Sequence, residues 1–218
     1  MTRVGEWIQT ASGRKFYPLD PREDEIFIED LAHHLANQCR FGGACRDLYS
    51  VAQHSVLGSL EIARRGGSSV EQLQFLVHDG SEGLGLPDLT RPVKRFSKFG
   101  EIYCEVEDPI QRAVYRRFGL PEKAAPAIHE MDDVMLLTER RDIMAPPPEP
   151  WREDDRPREL LAERIVFWTP REAHFWFLFR LFELTEGYGQ PERCQALVVE
   201  TRGEKCWQNV PFSVEGEV

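Results

Sequence analysis

The eight residues from Phe75 to Glu82, Phe-Leu-Val-His-Asp-Gly-Ser-Glu, constrain this chain more than any other stretch. An apolar run leads directly into His78 and Asp79, and Glu82 follows four residues after the histidine. Side chains three and four residues apart lie on one face of an α-helix, so this spacing predicts that the three polar groups converge on one small volume. An imidazole beside a carboxylate offers nitrogen and oxygen ligands, which suit a divalent transition metal better than calcium.

Two further segments carry side chains of the same chemical kind. Upstream, His54 lies in an apolar helical pattern that runs from Tyr49 to Leu57. Downstream, Asp132 and Asp133 lie in another such pattern, from Ile128 to Leu137. The chain therefore carries the order His, His-Asp, Asp on three predicted helices, and either aspartate of the last pair can fill the final position.

This ordered series resembles the HD-domain metal-dependent phosphohydrolases, in particular the subgroup of bacterial and phage deoxynucleotide phosphohydrolases. A His-Asp dipeptide alone is weak evidence, whereas an ordered series of motifs is specific. The resemblance covers residues 7 to 187. Besides the stretches already quoted, it is carried by Gly13 to Pro21, Ile28 to His33, Cys39 to Gly43, Tyr49 to Ser55, Arg91 to Lys94 and Leu137 to Asp142.

The resemblance implies an all-α fold, an HD-domain helical bundle over residues 1–190 whose residues 1–27 form an extended arm. Turn-forming residues in this arm predict a short hairpin. Residues 191–218 fall outside the resemblance and are predicted to form a β-hairpin, with strands near 196–199 and 206–210, a subunit contact or a loose tail. Helices are predicted at Leu31 to Cys39, Ser50 to Arg65, Ser69 to Gly83–Gly85, Glu101 to Phe118, Glu122 to Ile143 and Pro170 to Thr185. Pro109 is expected to kink or split its helix.

The resemblance also implies a set of metal ligands. By position in the motifs they are His54, His78, Asp79 and Asp132. Asp132 is preferred to Asp133 because it precedes Glu139 by seven residues, as the family's last aspartate precedes its Thr-Glu pair. Two imidazoles and two carboxylates suit Mn²⁺, Co²⁺, Mg²⁺, Fe²⁺ or Zn²⁺, and ligand type alone does not choose among these ions. His33 and His129 are candidates for supporting these ligands from behind.

Glu82 stands where related deoxynucleotidases carry a catalytic glutamate, and it is the candidate general acid or base. The alternative interpretation is that Glu82 caps a helix or pairs with an arginine. Arg40, Arg91 and Lys94 are the candidates for holding phosphate groups, since a planar guanidinium can bind a phosphate through two hydrogen bonds. Five apolar or aromatic side chains near the motifs could stack on a nucleobase or belong to the core: Trp7, Ile8, Phe16, Tyr17 and Phe41.

The predicted function is hydrolysis of a deoxynucleotide. One form is a dATP-like triphosphohydrolase that releases tripolyphosphate, and the alternative is a 5′-deoxynucleotidase that acts on a deoxynucleoside monophosphate. The basic run from Arg91 to Arg95 favours the triphosphate, because it carries more positive charge than one phosphate needs. Hydrolysis of a cyclic dinucleotide or alarmone, and a non-catalytic binding module, rank lower because the motifs match the deoxynucleotide subgroup and no ligand is missing.

Composition limits the partners. The net charge of −10 argues against binding to long nucleic acid, which requires a basic stripe. No window approaches the roughly 18 apolar residues of a membrane span, and the N-terminus lacks the apolar region of a secretory signal. Five scattered cysteines without a Cys-x-x-Cys pair favour a reducing compartment. We therefore expect a cytoplasmic protein, in the host cytoplasm if the chain is phage-encoded.

The segment from Pro170 to Thr185 is dense in aromatic residues. Such a stripe belongs to a core or to a subunit interface far more often than to a cofactor site. Because it carries more large apolar groups than one small helical domain readily covers, we predict a homo-oligomer.

Overall fold

The structure is a computed structural model that describes residues 3–156, 158–185 and 212–213, and in these residues the chain folds as a helical bundle. The all-α prediction is therefore confirmed. No helix among these residues combines the length and the apolar character that a membrane crossing requires. The α-helices are α1 (Ile28–Asn37), α2 (Val51–Arg64), α3 (Ser69–Leu76), α4 (Arg91–Phe96), α5 (Lys98–Arg117), α6 (Pro126–Ile143) and α7 (Pro170–Thr185).

The α2 helix lies at the centre of the bundle and packs against α1, α3, α6 and α7. Its residues 51–59 are all buried. Ser50 caps its N-terminus by accepting the backbone N–H of Gln53 at 3.1 Å. The Gln53 side chain in turn donates to the carbonyl of Val166 at 2.6 Å and accepts the N–H of Trp168 at 3.1 Å. Polar groups on this helix must find partners inside the protein, and the same helix carries His54 into the interior.

Gly58 determines how closely α3 approaches α2. A methyl group at this position would lie 2.1 Å from Cε1 of Phe75, so the ring occupies the space that any other side chain would need. Phe75 also stacks on the imidazole of His78, with 4.3 Å between ring centroids. The close packing of the two helices therefore extends to a predicted metal ligand.

We expect Gly58→Ala to lower the free energy of unfolding by about 1–3 kcal/mol, the usual cost of overpacking a core. Urea denaturation of the two proteins measures the difference. A double variant that also carries Phe75→Leu removes the ring that the methyl group meets, so its loss should be smaller than the sum of the two single losses. Simple addition of the two single effects would show that this contact does not cause the cost.

The α7 helix has the predicted boundaries, Pro170–Thr185. Thr169 and Glu172 form a capping box, with 2.7 Å from the Thr169 N–H to Glu172 Oε2 and 3.3 Å from the Glu172 N–H to Thr169 Oγ1. The helix packs against α1, α2 and α3. The aromatic rings of α7 are buried or half-buried within the chain, so they do not support the predicted homo-oligomer. The oligomeric state stays a prediction, and light scattering can test it. These rings are Phe175, Trp176, Phe177, Phe179 and Phe182.

The prediction that α3 continues through the His-Asp pair was wrong, because the helix ends at Leu76. In a longer helix the carbonyl of Phe75 would accept the N–H of Asp79. Here it accepts both the backbone N–H of His78, at 3.3 Å, and Nδ1–H of the same histidine, at 2.6 Å. His78 and Asp79 thus lie in a turn, and Glu82 lies in a separate 3₁₀ segment, Gly80–Leu84.

Two other helices differ from their predicted course. The α6 helix begins at Pro126 rather than at Glu122, because proline is favoured at the first helical position and not one turn inside. The α5 helix continues through Pro109 without a break. The carbonyl that loses its partner there belongs to Glu105, an exposed residue, so water can replace the missing N–H.

Two small antiparallel sheets lie at the ends of the described chain. In the arm, the predicted hairpin is present as β1 (Ile8–Gln9) and β2 (Lys15–Phe16), with Ile8 opposite Phe16. Near the other end, β3 (Arg164–Ile165) pairs with β4 (Phe212–Ser213). The strands predicted at 196–199 and 206–210 lie outside the described residues.

Candidate metal centre

Three segments that are far apart in the sequence place the predicted ligands at one point of the fold. The α2 helix carries His54, the turn after α3 carries His78 and Asp79, and α6 carries Asp132. One ligand atom from each of His54, His78 and Asp132 lies within 4.8 Å of the others. This group can hold a metal ion, and it is the one such cluster found among the described residues.

In their neutral forms, both imidazoles direct the lone pair of Nε2 toward this point, because Nδ1 of each ring carries the hydrogen that it donates elsewhere. His78 Nδ1–H donates to the Phe75 carbonyl at 2.6 Å, and His54 Nδ1–H donates to Glu139 Oε1 at 2.5 Å. Burial lowers the pKa of His78, which favours the neutral ring. The two Nε2 atoms face each other across 3.5 Å. Two nitrogens that bind one metal tetrahedrally lie about 3.3 Å apart, from the usual bond length of ~2.0–2.1 Å, so the donor pair fits a metal ion.

Asp132 supplies the carboxylate of the group. Its Oδ1 lies 3.6 Å from His54 Nε2, and its Oδ2 accepts from Arg91 Nη2 at 2.6 Å. Burial alone would raise the pKa of Asp132, but Arg91 and the histidines hold it below its ordinary value, so the ligand is ionised. Asp133 instead bridges Arg91 and Arg158, at 2.6 and 2.7 Å. The geometry supports the choice of Asp132.

Asp79 lies beside the three-residue group. Its Oδ1 is 3.3 Å from His78 Nε2, and its Oδ2 is 3.8 Å from His54 Nε2. The same Oδ2 accepts from Arg40 Nη1 at 3.1 Å. Burial alone would raise the pKa of this carboxyl, but His78 and Arg40 outweigh it and keep the pKa of Asp79 below its ordinary value. Asp79 is thus an ionised carboxylate at the edge of the site, and its role as fourth ligand stays a prediction.

Glu139 supports the centre from behind and is completely buried. Its Oε1 accepts from His54 Nδ1 and from the hydroxyl of Tyr49, at 3.0 Å. Its Oε2 lies 3.4 Å from Nε of Arg40. Glu139 follows Asp132 by seven residues on α6, two helical turns, so one face of this helix provides both a ligand and the group that orients another ligand.

We expect Glu139→Gln to weaken metal affinity by about 10- to 100-fold, the usual cost of losing the partner that orients a ligating histidine. The amide is neutral and makes the His54 ring a poorer donor. Isothermal titration calorimetry with Zn²⁺ measures the change in metal affinity. Tyr49→Phe removes a different hydrogen bond to the same carboxylate, and its affinity should stay closer to that of the wild type. Equal affinities in all three proteins would contradict the role of Glu139.

Glu82 is buried within its 3₁₀ segment, three residues after Asp79. Burial raises the pKa of its carboxyl well above the ordinary range, and the negative charges of Asp79 and Asp88 raise it further. Both effects favour the protonated form of this carboxyl. The side chain of Gln38 contacts its Oε2 at 3.5 Å. A protonated carboxyl in such a place can act as a general acid.

His34, and not His33, holds the segment that contains Glu82. His34 Nδ1–H donates to the carbonyl of Gly83 at 2.7 Å, and its Nε2 accepts the N–H of Ala11 at 3.0 Å. The ring thereby ties the arm, α1 and the 3₁₀ segment together. His33 is exposed, which corrects the expectation that it supports the ligands, and His129 is exposed as well.

The three predicted phosphate-binding residues all lie near the centre, and each is already engaged by a carboxylate. Arg40 contacts Asp79, and Arg91 joins the α6 aspartates described above. Lys94 Nζ lies 2.7 and 2.6 Å from the two carboxylate oxygens of Glu107. Their contact with a phosphate stays a prediction, and the positive field that they offer is smaller than the sequence suggests.

A cavity of about 540 Å³ opens next to the centre, and we call it the side cavity. Arg40 and Arg91 form the part of its wall that touches the ligand carboxylates. Of the five predicted base-pocket side chains, Phe41 lines this cavity. Ile8 lines a second cavity together with Glu82. Phe16 is buried in the core, and Trp7 and Tyr17 lie elsewhere in the arm. The remaining wall includes Phe96, Leu136, Met144, Trp151 and Arg152.

The chain is similar in sequence to known bacterial proteins. It matches no model of a known protein family. Over 137 residues, which are 63% of this chain and 72% of the relative, it is 35% identical to the uncharacterized protein YfdR of Escherichia coli strain K12. The chain belongs to the YfdR family. It is also 40% identical to an uncharacterized protein of Rhodobacter capsulatus over 119 residues, which are 53% of this chain and 59% of that protein's length.

In this YfdR-family protein, sequence reasoning missed two groups that shape the site. The first is the role of Glu139 as a hydrogen-bond partner of a ligand. Its seven-residue spacing from Asp132 already places it on the ligand-bearing face of α6. Asp88 accepts the backbone N–H of Phe41 at 2.7 Å and so holds the loop that carries Arg40. No local pattern indicates that contact, because the two residues are 47 positions apart.

Proposed function

We propose that this YfdR-family protein is a metal-dependent phosphohydrolase of the HD-domain type that acts on deoxynucleotides. The observation that supports it most is the pair of Nε2 atoms of His54 and His78, both left unprotonated by their Nδ1 partners, beside the ionised carboxylate of Asp132. Burying polar groups that face one another costs folding free energy. We therefore interpret this donor set as a metal site and not as a source of stability.

Residues of three kinds would share the work. His54, His78, Asp132 and Asp79 would hold the ion, which when bound would act as a Lewis acid on a phosphoryl group and make water a better nucleophile. Glu82, which is buried and has a raised pKa, would donate a proton to the leaving nucleoside oxygen.

Arg40 lies between the centre and the side cavity, where its guanidinium can bind phosphate oxygens. The ligand set leaves the identity of the ion open among Mn²⁺, Co²⁺, Mg²⁺, Fe²⁺ and Zn²⁺.

The triphosphate and the monophosphate remain two forms of this proposal. The basic run on α4 favours a dATP-like triphosphate, with release of tripolyphosphate. The ion pairs of Arg91 with Asp132 and Asp133, and of Lys94 with Glu107, favour the monophosphate, because they neutralise the charge that a longer phosphate chain would need. Of the two, the 5′-deoxynucleotidase reaction agrees better with these contacts.

Product analysis tests the proposal and separates its two forms. The purified chain is incubated with each deoxynucleoside triphosphate and each monophosphate, in the presence of Mn²⁺, Co²⁺ or Mg²⁺. Orthophosphate from a monophosphate identifies the 5′-deoxynucleotidase, and tripolyphosphate from a triphosphate identifies the triphosphohydrolase. Absence of both products with every ion and nucleotide, or release that survives chelation by EDTA, would refute the proposed function.

A further inference from the structure

The side cavity differs in character from the metal centre that it adjoins. Aromatic and apolar side chains from separate parts of the chain make up much of its wall. Its volume of about 540 Å³ is in the range of small-molecule sites, roughly 300–1,000 Å³. The aromatic members are Phe41 from the loop after α1, Phe96 at the end of α4 and Trp151 from the segment after α6.

Two of these rings keep some accessible surface. Phe96 is 70% exposed, and Trp151 is half-buried. Cationic side chains lie against both: the guanidinium of Arg152 is 5.9 Å from the Phe96 ring centroid, and that of Arg140 is 5.2 Å from the Trp151 ring centroid. Rings with a cation on one side and accessible surface at a cavity offer a flat partner a place to stack.

Four arginines line the side cavity, Arg40, Arg91, Arg95 and Arg152, beside one carboxylate, Asp88. Arg40 and Arg91 are bound to carboxylates of the metal centre, on the side of the cavity nearest to it. A second cavity, of about 470 Å³, is lined by Glu82 and Ile8, but its lining has no phenyl or indole ring. A flat aromatic group attached to a phosphate at the centre would therefore find rings to stack on in the side cavity, beyond Arg40 and Arg91.

We infer that the side cavity binds the nucleobase of the substrate and that Phe96 and Trp151 recognise this base. The inference rests on the proposed function and adds to it the position of the base. The phosphate end lies at the metal centre, and the base lies against the two rings. Recognition by stacking and apolar contact tolerates different bases, since every base has a π face.

The test measures binding without any need for hydrolysis. Calorimetry compares the four deoxynucleosides, which carry the base but no phosphate, with 2-deoxyribose, which lacks the base. The proteins are the wild type, Phe96→Ala, Trp151→Ala and the control Phe99→Ala. Phe99 is also exposed and lies three residues after Phe96, but it does not line the cavity.

We expect a deoxynucleoside to bind at least about 10-fold more tightly than 2-deoxyribose, and each cavity variant to lose about 5- to 150-fold of that affinity, the range that stacking on one ring provides. Phe99→Ala should bind like the wild type. Deoxynucleosides that bind no better than 2-deoxyribose, or cavity variants that bind like the wild type, would overturn the inference. Circular dichroism confirms that the variants are folded.

Failure of the side cavity to bind a base can be distinguished from failure of the proposed function. Base-dependent binding that both cavity variants lose, in a protein that hydrolyses no nucleotide, would support the side cavity and refute the phosphohydrolase. Hydrolysis of a deoxynucleotide with unchanged kcat/KM in both cavity variants would support the phosphohydrolase and refute base binding in the side cavity.

Discussion

Replacing His78 with alanine is expected to remove the metal and with it all phosphohydrolase activity. The Nε2 atom of His78 lies 3.5 Å from that of His54, so its loss halves the nitrogen ligands of the centre. Losing a partner behind a ligand costs about 10- to 100-fold in affinity, and losing the ligand itself should cost more than about 100-fold. Elemental analysis after gel filtration measures the metal bound per chain.

His129→Ala is the matched control, because this histidine is exposed on α6 one turn before Asp132 and lies outside the group. It should retain wild-type metal content. Asp132→Asn should lose metal as His78→Ala does, and it alters no buried ring. Full occupancy in His78→Ala would refute the ligand assignment. Asp79→Ala decides the fourth ligand: metal loss would confirm its role, and full occupancy would show that three residues suffice.

Replacing Glu82 with glutamine is expected to lower kcat by about 100-fold or more while metal content stays normal, because the amide has nearly the same shape but cannot deliver a proton. Burial and the nearby carboxylates raise the pKa of the Glu82 carboxyl, and this favours the protonated form that a general acid requires. Steady-state kinetics on the best substrate, with elemental analysis of the same sample, separates the chemical step from metal loss.

Glu101→Gln provides the control for this experiment, since that glutamate is exposed on α5. It should keep the wild-type kcat. If Glu82→Gln turns over normally, Glu82 serves structure and another group must protonate the leaving oxygen. If the variant loses metal instead, its carboxyl belongs to the ligand shell, and the assignment of roles within the site changes.

Local signals predicted the helices well where the cause of a boundary is itself local. The α7 helix begins as predicted because Thr169, Pro170 and Glu172 determine its start through their own side chains. The α3 helix was predicted too long because its end depends on a hydrogen bond between His78 and Phe75, which competes with the helical one. Such a competition is decided by packing around the ring and not by helix propensity.

The candidate site shows the same division. Residue type and order along the chain indicated His54 and His78 and left Asp132 and Asp133 as alternatives. The family resemblance selected Asp132, and the fold brings these three residues to one point. The partners of the charged residues were not predictable, because they come from distant segments: Arg91 meets Asp132 and Asp133 across more than 40 positions. The expected surplus of positive charge on α4 is largely neutralised for that reason.

By itself the sequence determined the helical class and the arm hairpin, because helix periodicity, caps and turn residues act over a few positions. The resemblance to the HD-domain phosphohydrolases indicated His54, His78 and Asp132. Only the tertiary structure decided the raised pKa of Glu82, the partners of Arg91 and Lys94, the role of Glu139 and the walls of the side cavity. Burial and electrostatic pairing depend on distances through space, and those distances exist only once the helices have packed.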